Sequence, residues 1–263
     1  MNILEKIVAH KKLEIADRKL SRPLSVLEAE PLFFRKALSL SDHLLDKSKS
    51  GIIAEFKRKS PSKGVINSHG EVSDITFAYA NLGASGLSIL TDSEFFGGVN
   101  EDLIAARIHE IPILRKDFII DEYQIVEAKS IGADVILLIA ACLTHETVQQ
   151  LATFAKRLGL EVLLEIHDAG ELDYICDEID LVGVNNRDLK FFTVDINRSI
   201  ELAGRIPDNK IKISESGISS VATITELKKH GFQGFLMGEN FMSKPEPAIA
   251  FASFVNQLKN GIT

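Results

Sequence analysis

The sequence predicts a (β/α)8 barrel, because eight short apolar runs recur along the chain and all but the last are followed by an amphipathic stretch. Each interval between runs can hold a crossover helix and none suits a hairpin, so the strands should be parallel. Residues 135–139 and 162–166 are almost wholly apolar, as expected of strands that are covered on both faces. The eight runs begin at Ile52, Leu87, Ile113, Val135, Val162, Leu181, Ile211 and Phe235.

The amphipathic stretches place apolar residues three and four positions apart, which predicts helices with one buried face. These helices are expected at 74–82, 101–110, 123–131, 147–158, 199–205 and 221–230, with a closing helix at 247–258. Glycines that can end helices in a left-handed conformation are Gly83, Gly132, Gly159 and Gly231. Side chains placed to cap helix starts are Asp74, Asn100, Asp121, Thr144 and Ser220.

Residues 1–263 are expected to form one barrel domain, with 1–50 as a helical extension before the first strand that packs across one end. A doubly wound open sheet is the structural alternative. That fold normally has fewer strands and a glycine-rich turn after the first one. Here the first strand runs into EFKRKSPSKG (55–64), which is not a dinucleotide-binding turn.

The charge balance argues against a nucleic-acid partner. Lys and Arg total 30 against 37 Asp and Glu, for a formal net charge of -7, whereas nucleic-acid binders usually carry a basic excess. An anionic ligand would therefore need a local cluster of positive groups and backbone NH donors.

The sequence also argues against a membrane partner and against export. No apolar stretch reaches the roughly 20 residues that a membrane helix needs. The first residues alternate charged and aliphatic groups and lack the apolar core of a secretory signal. Cys142 and Cys176 are too few for a disulfide framework, so a cytoplasmic location is expected.

Charged and amide side chains cluster at the carboxyl ends of the predicted strands, where barrel active sites occur. Because side chains alternate along a strand, Glu55 and Lys57 face the same side. Buried charges cost several kcal/mol each unless paired, so a ring of them at one mouth indicates function. As a structural alternative to a functional site, these residues would be ion pairs that close the end of the barrel, or charges in surface loops. The predicted ring comprises Glu55, Lys57, Lys116, Glu165, Asn185 and Glu215.

A phosphate site is predicted separately, at the ends of the last two strands. The two loops there frequently bind phosphate in barrels through backbone NH groups. Small residues let a dianion approach the main chain. The loop residues are Ser216, Gly217, Gly238 and Glu239. The nearby positive cluster is Lys57, Arg58, Lys59 and Lys63, of which Arg58 and Lys63 also fit a solvated charge run.

Other catalytic motifs are absent from the sequence. It contains no HExxH pair, no Walker lysine loop and no GxSxG elbow, and no histidines pair at metal-ligand spacing. No metal, flavin or nicotinamide cofactor is therefore expected. His167, after the fifth strand, could face the site, with capping or packing as the more ordinary explanation.

Long ordered segments over nearly the whole chain resemble the indole-3-glycerol phosphate synthase family. They include AEFKRKSPSKG (54–64), LSILTD (87–92), FFGG (95–98), ILRKDFIIDEYQIVEA (113–128) and GADVILLI (132–139). The remainder are LLEIHD (163–168), GVNNRDL (183–189), ISESGI (213–218) and FLMGE (235–239). The departures are small: Asn240-Phe241 and Phe191-Phe192 differ from the commoner residues.

The resemblance implies ring closure of a sugar phosphate, 1-(2-carboxyphenylamino)-1-deoxyribulose 5-phosphate, without metal or cofactor. Carbon dioxide and water leave, and indole-3-glycerol phosphate forms. Lys116 matches the family's general acid and Glu165 its general base, while Lys57 matches a second catalytic lysine whose step stays open.

The resemblance also implies roles for the remaining site residues. Those that match residues orienting the lysines and binding the ribulose hydroxyls are Glu55, Asn185, Glu215 and Ser216. Those at or beside the phosphate are Lys59, Ser60, Gly217, Gly238 and Glu239. Those that match contacts to the anthranilate part are Phe96, Phe118 and Arg187.

Two other functions remain as alternatives at this stage. One is a sugar-phosphate isomerase on the same barrel, such as phosphoribosylanthranilate isomerase, which would use a carboxylate acid–base pair instead of two lysines. The other is a non-catalytic phosphate-binding barrel, which should have lost Lys57, Lys116 or Glu165. No fused partner domain is expected.

Overall fold

Eight parallel strands close into a barrel in the computed structural model, which describes residues 2–188 and 193–261. Each barrel strand is hydrogen-bonded to the strand next to it in the chain and the last pairs with the first, so the predicted barrel is confirmed and an open sheet is excluded. Leu189, Phe191 and Phe192 lie outside the described residues. The barrel strands are β1 (Ile52–Phe56), β4 (Gly86–Leu90), β5 (Ile113–Lys116), β6 (Val135–Ile139), β7 (Glu161–Ile166), β8 (Leu181–Asn185), β9 (Ile211–Glu215) and β10 (Phe232–Met237).

A short antiparallel hairpin, β2 (Lys59–Ser60) and β3 (Gly64–Val65), follows the first barrel strand at the mouth. Three helices precede the barrel: α1 (Ile3–Ser21), α2 (Leu24–Leu27) and α3 (Leu40–Leu45). The later helices are α4 (Val72–Asn81), α5 (Asn100–Ala106), α6 (Glu122–Ser130), α7 (His145–Arg157), α8 (Asn197–Ala203), α9 (Val221–Lys229), α10 (Glu239–Met242) and α11 (Pro247–Asn260). No helix among the described residues is long and apolar enough to cross a bilayer.

The predicted helix boundaries are mostly confirmed. The side chains of Asp121, Thr144 and Ser220 accept hydrogen bonds from backbone NH groups two or three residues on. The four predicted terminating glycines all have positive φ, between 73° and 98°. The predictions for Asp74 and Asn100 are wrong, because α4 and α5 begin before or at these residues and leave both inside the first turn.

The connection after β7 also differs from the prediction. Residues Ala169–Tyr174 form a 3-10 helix there instead of an α-helix. Asp168 caps this segment by accepting a hydrogen bond from the Gly170 backbone NH at 2.8 Å. Few residues separate β7 from β8, so the chain makes a short tight crossing at this point.

The barrel has one apolar core inside the strands and another between the strands and the outer helices. Ile53 belongs to the inner core, whereas Ile52 and Ala54 belong to the outer one. Glu55 and Lys57 have the same alternation as Ile53, so their side chains continue the inner column toward the mouth. The inner core comprises Ile53, Leu114, Val135, Leu137, Ile139, Leu163, Leu181, Ile213 and Leu236, with Leu40 and Leu44 from α3.

The extension before β1 covers both ends of the barrel, where the sequence predicted one. Leu40 of α3 closes the amino-terminal end so tightly that a Cβ at Gly86 would lie 2.6 Å from its Cδ1 atom. At the opposite end, Ile3, Leu4 and Ile7 of α1 line the cavity at the mouth. The sequence of an amphipathic helix shows that one face is buried but not where that face docks. The second covered end of the barrel was therefore not predicted.

A buried lysine fixes α1 on the barrel. The Lys11 ammonium lies 2.9 Å from Asp117 Oδ1, 3.1 Å from Asp92 Oδ2 and 2.9 Å from Glu14 Oε2. Burial raises the pKa of Asp117, but Lys11 and Arg115 outweigh it and hold that pKa below its ordinary value. Because Asp117 directly follows Lys116, this ion cluster ties α1 to the end of strand β5.

Candidate active site

The strand ends and α1 enclose a cavity of about 180 Å³ at the carboxyl-terminal mouth of the barrel. It collects every predicted site residue except Lys59, Arg58 and Lys63 of the predicted positive cluster. The predicted residues that line it are Glu55, Lys57, Ser60, Phe96, Lys116, Phe118, Glu165, Asn185, Arg187, Glu215, Ser216, Gly217, Gly238 and Glu239. They come from seven strands and their loops, so the fold brings together residues that are far apart in the chain.

The centre of the cavity is an ion pair between strands β5 and β7. The Lys116 ammonium lies 3.3 Å from Glu165 Oε2. Asn185, at the end of β8, donates its amide to Glu165 Oε1 at 3.0 Å. Both oxygens of this buried carboxylate are therefore fixed, one by a group from the adjacent strand β8 and one by a group from β5, two strands away.

The protonation states of this pair are opposite and stable. Burial lowers the pKa of Lys116, but the carboxylates of Glu165, Glu215 and Glu55 outweigh it, so the pKa is above its ordinary value. Burial raises the pKa of Glu165, but Lys116 outweighs it and the pKa is lowered. The site thus presents a protonated ammonium beside an ionised carboxylate.

A second lysine lies on strand β1. The Lys57 ammonium lies 2.5 Å from Glu55 Oε1, and both side chains line the cavity. Gly238 lies against this pair, because a Cβ there would be 2.6 Å from Glu55 Oε1. Glycine at this position therefore leaves room for Glu55 as well as for a ligand beside the main chain.

Glu215 is a third buried acid of the site, beside Glu55 and Glu165. Its Oε1 atom has no hydrogen-bond partner in the part of the chain that the structure describes. Burial, with the nearby carboxylates of Glu165 and Glu55, raises the pKa of Glu215 to about 8, against the opposing effect of Lys116. At neutral pH this carboxyl group carries a proton.

The residues of the positive cluster predicted beside the phosphate loops do not all face the cavity in the structure. Lys57 lines the cavity, but Arg58 forms a two-point ion pair with Asp102 on α5. The Lys59 ammonium donates to the Glu94 carbonyl at 2.6 Å, outside the cavity lining. The loop conformation after β1 turns these side chains away, which the sequence pattern did not indicate.

Acidic and basic groups pair at the rim. Glu239 accepts from the Arg187 guanidinium at 3.2 Å and lies 3.5 Å from the Lys63 ammonium. The first contact joins the loops after β8 and β10, and the second adds the hairpin after β1. The Glu239 carboxylate therefore holds two cations, Arg187 and Lys63, near the mouth of the barrel.

The loop after β9 has an unusual backbone. Ser216 has φ of +67° and the following Gly217 has φ of +76°. A side chain at Gly217 would clash, because its Cβ would lie 2.2 Å from Val194 Cγ1. The Asn186 amide donates to the carbonyls of Glu215 and Ser216 and fixes this turn. Strained backbone of this kind concentrates at functional sites.

An apolar wall faces the charged groups. The Phe96 and Phe118 rings have centroids 6.0 Å apart and planes inclined by 37°. Leu137 and Ile139 of β6 and Ile7 of α1 extend this wall. It suits a flat aromatic group, whereas the opposite side suits hydroxyls and anions.

Sequence reasoning missed the α1 residues of the cavity and did not assign a role to His167. Its Nε2 lies 3.3 Å from Glu165 Oε1, and its Nδ1 lies 3.4 Å from Glu171 Oε2. The alternation of side chains along the strand could have placed His167 on the same side as Glu165, because it follows Glu165 by two residues at the end of the strand. Within residues 2–188 and 193–261, no group of three or more His, Cys, Asp or Glu could hold a metal ion.

A closed parallel barrel with half-buried lysines paired to buried glutamates at its carboxyl-terminal mouth is typical of a (β/α)8-barrel enzyme. The family model for indole-3-glycerol phosphate synthase matches residues 4–254. The chain belongs to the indole-3-glycerol phosphate synthase family, which are carboxy-lyases of tryptophan biosynthesis.

Relatives from several bacteria align with nearly the whole chain. An indole-3-glycerol phosphate synthase of Bacteroides thetaiotaomicron is 47% identical over 259 residues, which covers 98% of this chain and 99% of the relative. Those of Dechloromonas aromatica and Polynucleobacter asymbioticus are 40% and 41% identical, each covering 95% of this chain and 98% of the relative.

Proposed function

We propose that the cavity closes the indole ring of 1-(2-carboxyphenylamino)-1-deoxyribulose 5-phosphate and releases indole-3-glycerol phosphate, carbon dioxide and water. The observation that carries this proposal is the Lys116–Glu165 pair, an acid and a base 3.3 Å apart inside a partly apolar cavity. Family membership supports the same reaction.

Lys116 acts first, in ring closure. The aromatic carbon that bears the carboxylate attacks the ribulose carbonyl, a carbon–carbon bond forms and the carbonyl oxygen gains negative charge. The Lys116 ammonium donates a proton to that oxygen, and loss of carbon dioxide returns the bonding electrons to the ring. Its raised pKa supports this role, because the group stays protonated until the oxygen becomes basic.

Glu165 acts in the dehydration that follows. The carboxylate accepts a proton from the intermediate while an ammonium group of the site protonates the new hydroxyl, which leaves as water and completes the pyrrole ring. Asn185 and Lys116 hold Glu165 ionised for this step. Lys57 supplies the second ammonium, oriented by Glu55, and the kinetics of single variants would assign its step.

The two ends of the substrate would occupy opposite sides of the cavity. The aromatic ring lies against Phe96 and Phe118, with Arg187 near the carboxylate. Ribulose hydroxyls meet Asn185, Glu215 and Ser216. The phosphate lies at the loops formed by Ser60, Gly217, Gly238 and Glu239. Lys59 is left out of this arrangement because its ammonium is bonded to the Glu94 carbonyl.

The two alternatives have less support. An isomerase would use an acid–base pair across adjacent carbons and would not need both Lys57 and Lys116 in the cavity. A binding protein without catalysis would not need Lys116 and Glu165 in contact. The single-domain organisation and the cytoplasmic location stay predictions.

The test is an assay of the purified protein with the carboxyphenylamino substrate in the presence of a chelator, followed by indole fluorescence. We expect steady formation of indole-3-glycerol phosphate without added metal. A parallel assay supplies phosphoribosylanthranilate, which the isomerase alternative would consume. Turnover of that compound alone, or of neither, would contradict the proposed reaction.

A further inference from the structure

His167 lies behind Glu165, outside the lining of the cavity. It follows β7 and only 8% of its surface is exposed. Its ring approaches Glu165 at Oε1, whereas the Lys116 ammonium approaches the same carboxylate at Oε2. The base proposed above therefore lies between two basic groups, of which only Lys116 faces the substrate cavity, and the Asn185 amide also donates to Oε1.

The second ring nitrogen of His167 faces another acid. Nδ1 lies 3.4 Å from Glu171 Oε2. Glu171 cannot easily turn away, because the same oxygen accepts a hydrogen bond from the His167 backbone NH at 2.6 Å. It sits in the first turn of the 3-10 helix Ala169–Tyr174, which Asp168 caps.

The imidazolium form fits this environment. A neutral imidazole has one NH donor and one lone pair, and the lone pair would face a carboxylate. The imidazolium presents a donor to both acids. Burial lowers the pKa of His167, but Glu165 and Glu171 outweigh it and raise the pKa to about 9.

Other charged and titratable groups act on the same carboxylate. Lys116 approaches from β5, and the protonated Glu215 lies on β9. The Cys142 thiol, from the segment after β6, is buried and its pKa is raised to about 12, so it carries no charge at neutral pH. Among the described residues, His167 and Lys116 are thus the two cations beside Glu165.

We propose that His167 is a positioning residue for the reaction: its imidazolium holds Glu165 at Oε1, keeps that carboxylate ionised and leaves Oε2 directed to the substrate. This inference deepens the proposed function and rests on it. His167 keeps both of its ring protons throughout. The proton that Glu165 accepts comes from the substrate, and His167 takes no part in its transfer.

The first experiment compares the pH profile of kcat/KM for wild type and His167→Gln with the same substrate, so that the substrate's own titrations cancel. The amide keeps a donor and removes the charge. We expect the acidic limb to move to higher pH by about 1 to 3 units, because an adjacent cation depresses a carboxylate pKa by that amount. KM should change little. A merely structural role would lower the rate without moving the limb.

Two further variants sharpen this comparison. Glu171→Gln keeps the histidine but removes its second carboxylate, so the limb should move in the same direction by less. His145→Gln is the matched control, because His145 stacks on Tyr174 with ring centroids 3.8 Å apart and does not line the cavity. An unmoved limb in both His167→Gln and Glu171→Gln would overturn the inference.

The second experiment does not depend on activity. In an NMR titration of the wild-type protein, the His167 ring signals should titrate near pH 9 instead of near the ordinary value of about 6.5. They are assigned by their absence in His167→Gln or, if that variant does not fold, by their shift in Glu171→Gln. Titration near 6.5 would overturn the inference even in an active enzyme. Failure of wild type to form the indole product would instead refute the proposed function.

Discussion

Gly183 provides the space that the Glu215 carboxyl group occupies. A Cβ at Gly183 would lie 2.1 Å from Glu215 Oε1 and 3.3 Å from Leu163 Cδ1. The two residues are on adjacent strands, β8 and β9, and both side chains would point into the barrel. The position of the buried acid therefore depends on the absence of a side chain on its neighbour.

Gly183→Ala should displace Glu215 and lower kcat/KM by about tenfold or more, equivalent to about 1.4 kcal/mol. Overpacking of the barrel should also lower the free energy of unfolding by about 1–3 kcal/mol. Steady-state kinetics and urea denaturation measure the two effects. Gly204→Ala is the control, because no heavy atom lies within 4 Å of the added Cβ. Wild-type kinetics in Gly183→Ala would show that Glu215 need not occupy this position.

Lys116→Met should lower kcat by about 10²–10⁴, the range for loss of one general acid. The protein should remain folded by circular dichroism. Lys210→Met is a matched control, since the Lys210 ammonium is also buried and donates to the carbonyls of Asp177 and Ile179 away from the cavity. That variant should lose stability and keep its kcat. A near wild-type rate for Lys116→Met would remove the acid role from this residue.

Lys11→Met should destabilise the protein by about 3–5 kcal/mol, because Asp92 and Asp117 are left as buried charges without this cation. KM should rise, since α1 contributes to the cavity wall. Asp117 has a lowered pKa in the folded state, so its contribution is present above the ordinary pKa and lost in acid. The difference in unfolding free energy between Lys11→Met and wild type should therefore be largest near pH 7 and shrink below about pH 4.

The control for this change is Lys12→Met, because Lys12 is exposed on the same helix. Chemical denaturation at several pH values, with KM measured at one of them, separates the two variants. Equal stability losses at both positions would contradict a specific role of Lys11.

Glu215→Gln should become more stable relative to wild type as pH rises from about 5 to 8. The folded wild type holds a proton on Glu215 up to about pH 8, whereas the unfolded chain releases it near 4.5. Wild-type stability therefore falls with pH in this window, by at most about 1.4 kcal/mol for each pH unit. The glutamine variant has no such dependence.

Unfolding free energies of the two proteins at pH 5, 6, 7, 8 and 9 give this difference. We expect it to grow up to about pH 8 and then level off. Glu201→Gln is the control, because Glu201 is exposed on α8. A constant difference between wild type and Glu215→Gln would show that Glu215 is already ionised in the folded protein.

Strand periodicity is the reason that the barrel and most of its mouth were predictable. Alternation is a local property, so Glu55, Lys57 and Lys116 could be placed on the inner side from their neighbours alone. The parallel order places the carboxyl ends together, and the mouth follows from that order.

Contacts between distant segments are the part that local patterns did not contain. The turn of Lys59 toward Glu94 depends on the conformation of the hairpin after β1. Lys11 looks like an ordinary surface lysine in the sequence, yet two acids from the ends of distant strands, Asp92 and Asp117, contact it together with Glu14 of the same helix. The space beside Gly183 likewise depends on the side chain of a residue 32 positions later.

The docking of α1 has a consequence for the order of events in folding. Ribosomes synthesise this helix before Asp92 and Asp117, the residues that fix it through Lys11. Contacts between such distant segments close late, because the intervening chain must first be ordered. The cylinder of strands can thus be complete while its mouth still lacks one wall, so enzymatic activity should return after secondary structure when the denatured chain is refolded.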